Sequence, residues 1–147
     1  MTNIIIKPAE ILLVEDNEAD VDLVKETLNR GKLTAHLHVT RNGEEAIAFL
    51  KHQDIYINAP RPDIILLDLN LPKKDGREVL HEIKEDPDLC QIPVIILTSS
   101  PADEDISKSY LLHANCYIIK PLDFKSFMIV IQQLSDFWFS LVTLPKR

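Results

Sequence analysis

Glycine is scarce in this chain. The three present, Gly31, Gly43 and Gly76, lie too far apart to build a glycine-rich phosphate loop, which argues against nucleotide binding of that kind. Cysteine is scarcer still: Cys90 and Cys116 stand at no metal-ligand spacing, and Cys116 leads into an apolar run where a thiol acts as a small hydrophobe. A reduced, cytoplasmic compartment is the simplest expectation. Basic residues are outnumbered, with 16 Lys and Arg against 23 Asp and Glu, giving a net charge of -7 and a pI of about 5.1. Binding to a phosphate backbone rests on clustered Lys and Arg, so the composition argues against a nucleic-acid partner. The closing Lys146-Arg147 pair is too short to serve as a basic arm. No apolar run approaches bilayer-spanning length, and residues 1–10 lack the apolar centre of a signal peptide, so no membrane association is expected.

What the chain does have is a set of short apolar runs, each ending in a reactive polar residue. The run 64–67 ends in Asp68, the run 11–14 in Glu15 and Asp16, the run 94–97 in Thr98-Ser99-Ser100, and the run 117–119 in Lys120-Pro121. Strands are expected near 11–14, 36–39, 64–67, 93–97 and 116–119. Helical patterns fall between them at 18–30, 43–52, 76–86, 103–112 and 123–138. Strict alternation of strand and helix predicts an α/β fold with parallel strands joined by right-handed crossovers. Near-continuous aliphatic strands suit burial on both faces, whereas His36-Leu37-His38-Val39 alternates like an edge strand. At 147 residues and 46% hydrophobic content, one domain with a single core is expected. The stretch 53–62, with its prolines, reads as an ordered surface loop.

In open α/β sheets, ligands bind beyond the carboxyl ends of the strands, and that is where these polar residues fall. Three carboxylates at one site repel, and a hard divalent cation with oxygen ligands is the ordinary remedy. Magnesium suits best, because it needs only one or two carboxylates and keeps several waters. A carboxylate can also attack phosphorus to form an acyl phosphate. Each residue has a plainer reading when taken alone: Glu15-Asp16 as a helix cap, Asp68 as a turn residue, Lys120 as a solvated lysine, Thr98 as a strand-end hydroxyl, and Tyr117 as a half-buried strand aromatic.

Taken together, these residues resemble the response regulator receiver family over roughly residues 9–138. The resemblance implies a doubly wound five-stranded parallel sheet of order 2-1-3-4-5. It also implies Asp68 as phosphoacceptor, with Glu15, Asp16, Asp68 and the backbone carbonyl of Asn70 holding magnesium. Lys120 and Thr98 would contact the phosphoryl group, and Thr98 and Tyr117 would act as the switch pair. Such a protein is a regulator and not an enzyme. It would receive its phosphoryl group from a sensor histidine kinase and pass the signal on by protein contact or to a histidine phosphotransfer protein. The insert 56–63 and the tail 138–145 resemble the small regulators that partner cyanobacterial phytochromes. Two departures stand out: His113 where receivers commonly carry Gly, and Leu122 where many carry an aromatic. A receiver-like module that is never phosphorylated remains an alternative. A haloacid-dehalogenase type of phosphatase fits less well, since it needs a second Asp where Asn70 stands.

The last helical segment carries a different signal. Phe124, Phe127, Met128, Ile131, Leu134 and Trp138 form a helical stripe, while Ile129, Val130 and Phe137 fall off it. Beyond the core, 139–147 reads as an apolar extension that includes Phe139 and Leu141. A homodimer through the 103–112, 116–119 and 123–138 face would cover Ile129, Val130, Phe137, Phe139 and Leu141. The alternative is that the tail folds back over its own core.

Overall fold

The computed structural model describes residues 8–31, 34–98, 116–119 and 123–142. Five parallel strands form one sheet: β1 (Ala9–Val14), β2 (Ala35–Thr40), β3 (Ile64–Asp68), β4 (Val94–Thr98) and β5 (Cys116–Ile119), in the order β2-β1-β3-β4-β5. The expected sheet order and strand positions are therefore found. Between the strands lie α1 (Glu18–Arg30), α2 (Gly43–Leu50) and α3 (Gly76–Glu85), and α4 (Phe124–Val142) follows β5. The helix expected at 103–112 lies outside the described residues, as do His113, Lys120 and Leu122.

Local chemistry starts each helix where the sequence indicates. Asn17 accepts from the Asp20 amide at 3.0 Å, and Asp75 accepts from the Arg77 amide at 3.2 Å. At α2 the cap is reciprocal: Asn42 accepts from the Glu45 amide at 2.9 Å while the Glu45 carboxylate accepts from the Arg41 amide at 3.0 Å. α2 stops at Leu50, two residues short of the sequence expectation. His52 and Asp54 take left-handed backbone angles there, with φ of 57° and 56°, which turns the chain out of the helix. The connection that follows is tied back to α2 at Tyr56, whose ring lies 5.4 Å from that of Phe49.

Both faces of the sheet are covered at its centre, which is why β1, β3 and β4 are mainly aliphatic while the edge strand β2 alternates. Leu12, Val14, Ile65 and Leu67 face Phe49 and Leu50 of α2 and Val79, Leu80 and Ile83 of α3. Ile11, Leu13, Ile64 and Leu66 face Val21, Val24 and Leu28 of α1 and Phe127 of α4. α4 is further held to α1 by the Arg30 guanidinium, 5.1 Å from the centre of the Phe124 ring.

α4 also changes two expectations. The helix does not end at 138 but runs on to Val142, so the first residues of the expected tail continue it. Val130 is partly buried: it packs against the α1-side core, because it lies three residues after Phe127 on a neighbouring part of the helix face. Ile129, by contrast, is 59% exposed. For Phe137, Phe139 and Leu141 only the helical backbone is described. Among the described residues, no helix is long and apolar enough to cross a membrane.

Phe127 is 1% exposed and is the only α4 residue fully inside the described core. Phe127→Ala should cost about 3–5 kcal/mol through lost burial and the cavity left behind. Urea unfolding followed by far-UV circular dichroism measures this; a loss below about 1 kcal/mol would mean that α4 is not anchored by this ring.

Candidate metal centre

Strand register builds the site. β1 and β3 pair with Val14 opposite Leu67, so the residues that follow, Glu15 and Asp68, emerge side by side at the carboxyl edge. β3 and β4 pair with Asp68 opposite Leu97, which sets Thr98 one position further along the neighbouring strand. β4 and β5 pair with Thr98 opposite Ile119, the residue before Lys120. The chain thus delivers Glu15, Asp16, Asp68 and Thr98 to one edge. Lys120 and the side chains of Thr98 and Tyr117 lie outside the described residues, although Tyr117 has its backbone in β5.

Oxygens of Glu15, Asp16 and Asp68 all lie within 4.8 Å of one another. Glu15 is fully buried and Asp68 is 4% exposed, while Asp16 faces solvent. At such a separation two carboxylates repel by roughly 3 kcal/mol even at an effective dielectric of about 20. Backbone amides meet part of the demand: Asn17 N–H donates to Glu15 at 3.2 Å, and Asn70 N–H donates to Asp68 at 3.0 Å. A divalent cation among these oxygens would offset the remaining repulsion. Two buried donors and one wet donor suit an ion that keeps part of its water shell.

The loop that carries Asp68 into α3 is held by close backbone packing. Gly76 donates its amide to Leu69 O at 3.0 Å. A Cβ at Gly76 would fall 2.2 Å from Asp68 O and 2.6 Å from Leu69 Cα. From the other side, a Cβ at Gly43, the first residue of α2, would fall 2.1 Å from Lys74 O. Neither glycine has positive φ, so space and not backbone freedom demands them. Between them Lys73 takes a left-handed turn at φ 66°. Lys74 pairs with Glu82 of α3, a hydrogen bond that holds its ammonium above the ordinary lysine value. Lys51 reaches the other Glu82 oxygen at 3.8 Å. Reading the sequence missed Gly43 and Gly76 as site residues. Their signals, Asn42-Gly43 and Asp75-Gly76, look like ordinary helix starts until the packing is seen.

Comparison with known proteins finds likeness over nearly the whole chain. The profile of the Response regulator receiver domain matches residues 11–132. The Response regulator Rcp1 of Synechocystis sp. is 51% identical over 138 residues, 94% of each chain. The crystal structure of the phosphorylated cyanobacterial phytochrome response regulator RcpA superposes with a TM-score of 0.84 at 48% identity, covering 95% of this chain and all of that one. The Mn2+-bound form of Rcp1 gives a TM-score of 0.82 at 51% identity, with the same coverage.

Gly76→Ala should push the Asp68–Leu69 backbone out of place and weaken Mn2+ binding on the order of ten-fold. Isothermal titration calorimetry with Mn2+ reads this directly. A folded Gly76→Ala protein that binds Mn2+ as tightly as wild type would show that the loop position does not matter to the site.

Proposed function

The chain belongs to the response regulator receiver family, and on that footing we propose that it accepts a phosphoryl group on Asp68 with magnesium held by Glu15, Asp16, Asp68 and the Asn70 carbonyl. The observation that carries this reading is the convergence of three carboxylates within 4.8 Å, two of them buried, at the carboxyl edge of the sheet. Magnesium, when bound, would neutralise charge on the phosphoryl oxygens and on the carboxylates. Asp68, at the end of a buried strand, supplies the attacking oxygen. Its carboxylate forms an O–P bond as the P–N bond of a phosphohistidine breaks, and the departing imidazole takes up a proton. Asn70 N–H, already donating to Asp68, orients that carboxylate. Thr98 is assigned to hydrogen-bond a phosphoryl oxygen and Lys120 to balance its charge, with Thr98 and Tyr117 coupling the edge to β5. These roles rest on register and on the family pattern.

The donor is a sensor histidine kinase, and a phytochrome is the reading favoured by likeness to Rcp1 and RcpA. The chain acts as a cytoplasmic regulator and not as an enzyme with turnover. Residues 1–147 form one receiver unit with a helical extension, and output passes through protein contacts or to a histidine phosphotransfer protein. A homodimer through the face of α4 is supported by the exposed Ile129 and by the apolar composition of 137–142.

Two outcomes test these proposals. Intact-mass measurement after incubation with acetyl phosphate should show a single phosphate-sized gain that needs Mg2+ and is absent in Asp68→Asn and Asp16→Ala; a gain that persists in Asp68→Asn would falsify the assignment. Sedimentation equilibrium at roughly tens of micromolar, where a micromolar dimer is well populated, should find a dimer that Ile129→Glu or Phe137→Glu weakens. A monomer at that concentration, phosphorylated or not, rules the dimer out.

A further inference from the structure

At the opposite end of the sheet lies a cluster that the phosphoryl chemistry does not use. His36 and His38 stand two residues apart on β2, so both imidazoles leave the same face of the strand. Glu10 of β1 is in register with His36 and projects on that face as well. Its carboxylate spans the pair, with one oxygen 2.9 Å from His36 Nδ1 and the other 2.7 Å from His38 Nε2. Five residues of extended chain, about 16 Å, separate Glu10 from Glu15, so this cluster is distinct from the acidic pocket.

The surroundings suit a ligand set. The Glu10 carboxylate is 17% exposed, the His38 ring 29% and the His36 ring 59%, so the cluster is partly shielded yet open on the His36 side. The His38 ring packs against that of Phe49 in a tilted arrangement, centroids 5.5 Å apart, which limits its movement. The Glu10 amide donates to the Asp63 carboxylate at 2.8 Å and fixes the start of β1. Burial pushes the Glu10 carboxyl up, but hydrogen bonds from His38 and His36 outweigh it and hold the group below the ordinary glutamate value. The carboxylate therefore stays ionised through the neutral range, as a metal ligand must.

We propose that Glu10, His36 and His38 form a second cation site, a two-histidine, one-carboxylate set for a borderline divalent ion of the zinc class. Imidazole favours zinc, copper or nickel over magnesium, while the all-oxygen pocket at the other edge favours magnesium. As folded, the two rings point to different oxygens of one carboxylate. A shared cation requires the exposed His36 ring to swing inward and each ring proton to move to the nitrogen facing away from the ion. Water completes the coordination. The bound ion would tie the edge strand β2 to β1, a link independent of the phosphoacceptor.

Imidazole-nitrogen NMR on the full chain tests this with Zn2+ as the probe. One equivalent of Zn2+ should shift the ring nitrogens of His36 and His38 and leave those of His52, His81 and His113 in place, whereas millimolar Mg2+ should move none of the five. Affinity for Zn2+ should fall at least about ten-fold in His36→Gln and again in Glu10→Gln. Mg2+-dependent phosphoryl loading of Asp68 should stay as in wild type in both. Zn2+ shifts that spare His36 and His38, or unchanged Zn2+ affinity in both variants, would overturn the proposal and leave the cluster a hydrogen-bonded brace.

Discussion

Everything at the functional edge depends on the parallel register between β1, β3 and β4. Val14 opposite Leu67 and Asp68 opposite Leu97 bring three strand ends to one line. A slip of one residue would turn each side chain to the other face of its strand and scatter the carboxylates. Register is secured by burial on both faces: Leu12 and Ile65 belong to one core layer, and Ile11 and Ile64 to the other, so any slip exposes aliphatic surface throughout. The hydrophobic core thus sets the geometry of the charges.

That same core creates the electrostatic tension at the edge. Glu15 and Asp68 are nearly solvent-free and within reach of each other, an arrangement that amide donors relieve only in part. A divalent cation at this edge would offset the repulsion between the carboxylates. The loop behind Asp68 cannot relax freely either. Gly43 and Gly76 let two helix starts press against it, and the Lys74–Glu82–Lys51 chain ties it to α3 and to the end of α2. Close backbone contacts thus tie the position of the loop after Asp68 to the starts of α2 and α3.

The two ends of the sheet divide their chemistry by ligand type. Oxygen donors gather at the carboxyl edge, and imidazoles gather with Glu10 at the amino end of β1 and β2. The alternation of β2, which marks it as an edge strand, is also what places both histidines on one face.

By itself the sequence determined the strands, the helix starts and the order of the sheet's polar ends. Aliphatic runs closed by Asp68, by Glu15 and Asp16, or by Thr98 are local signals that burial on both faces imposes. Asn17, Asn42 and Asp75 are local caps. What it could not contain were distances between elements. Val130 reads as off the stripe in a helical projection, yet it is partly covered because α4 lies against α1 with Phe127 in the core. The extension of α4 to Val142 was hidden because an apolar tail and an apolar helix share one composition. Gly43 and Gly76 looked like turn residues, and only the approach of Lys74 O and Asp68 O shows that a single Cβ would not fit. Glu10 lies 26 residues before His36, and parallel pairing alone closes that gap to a hydrogen bond. Local pattern records what each residue prefers, while register and packing decide which preferences meet.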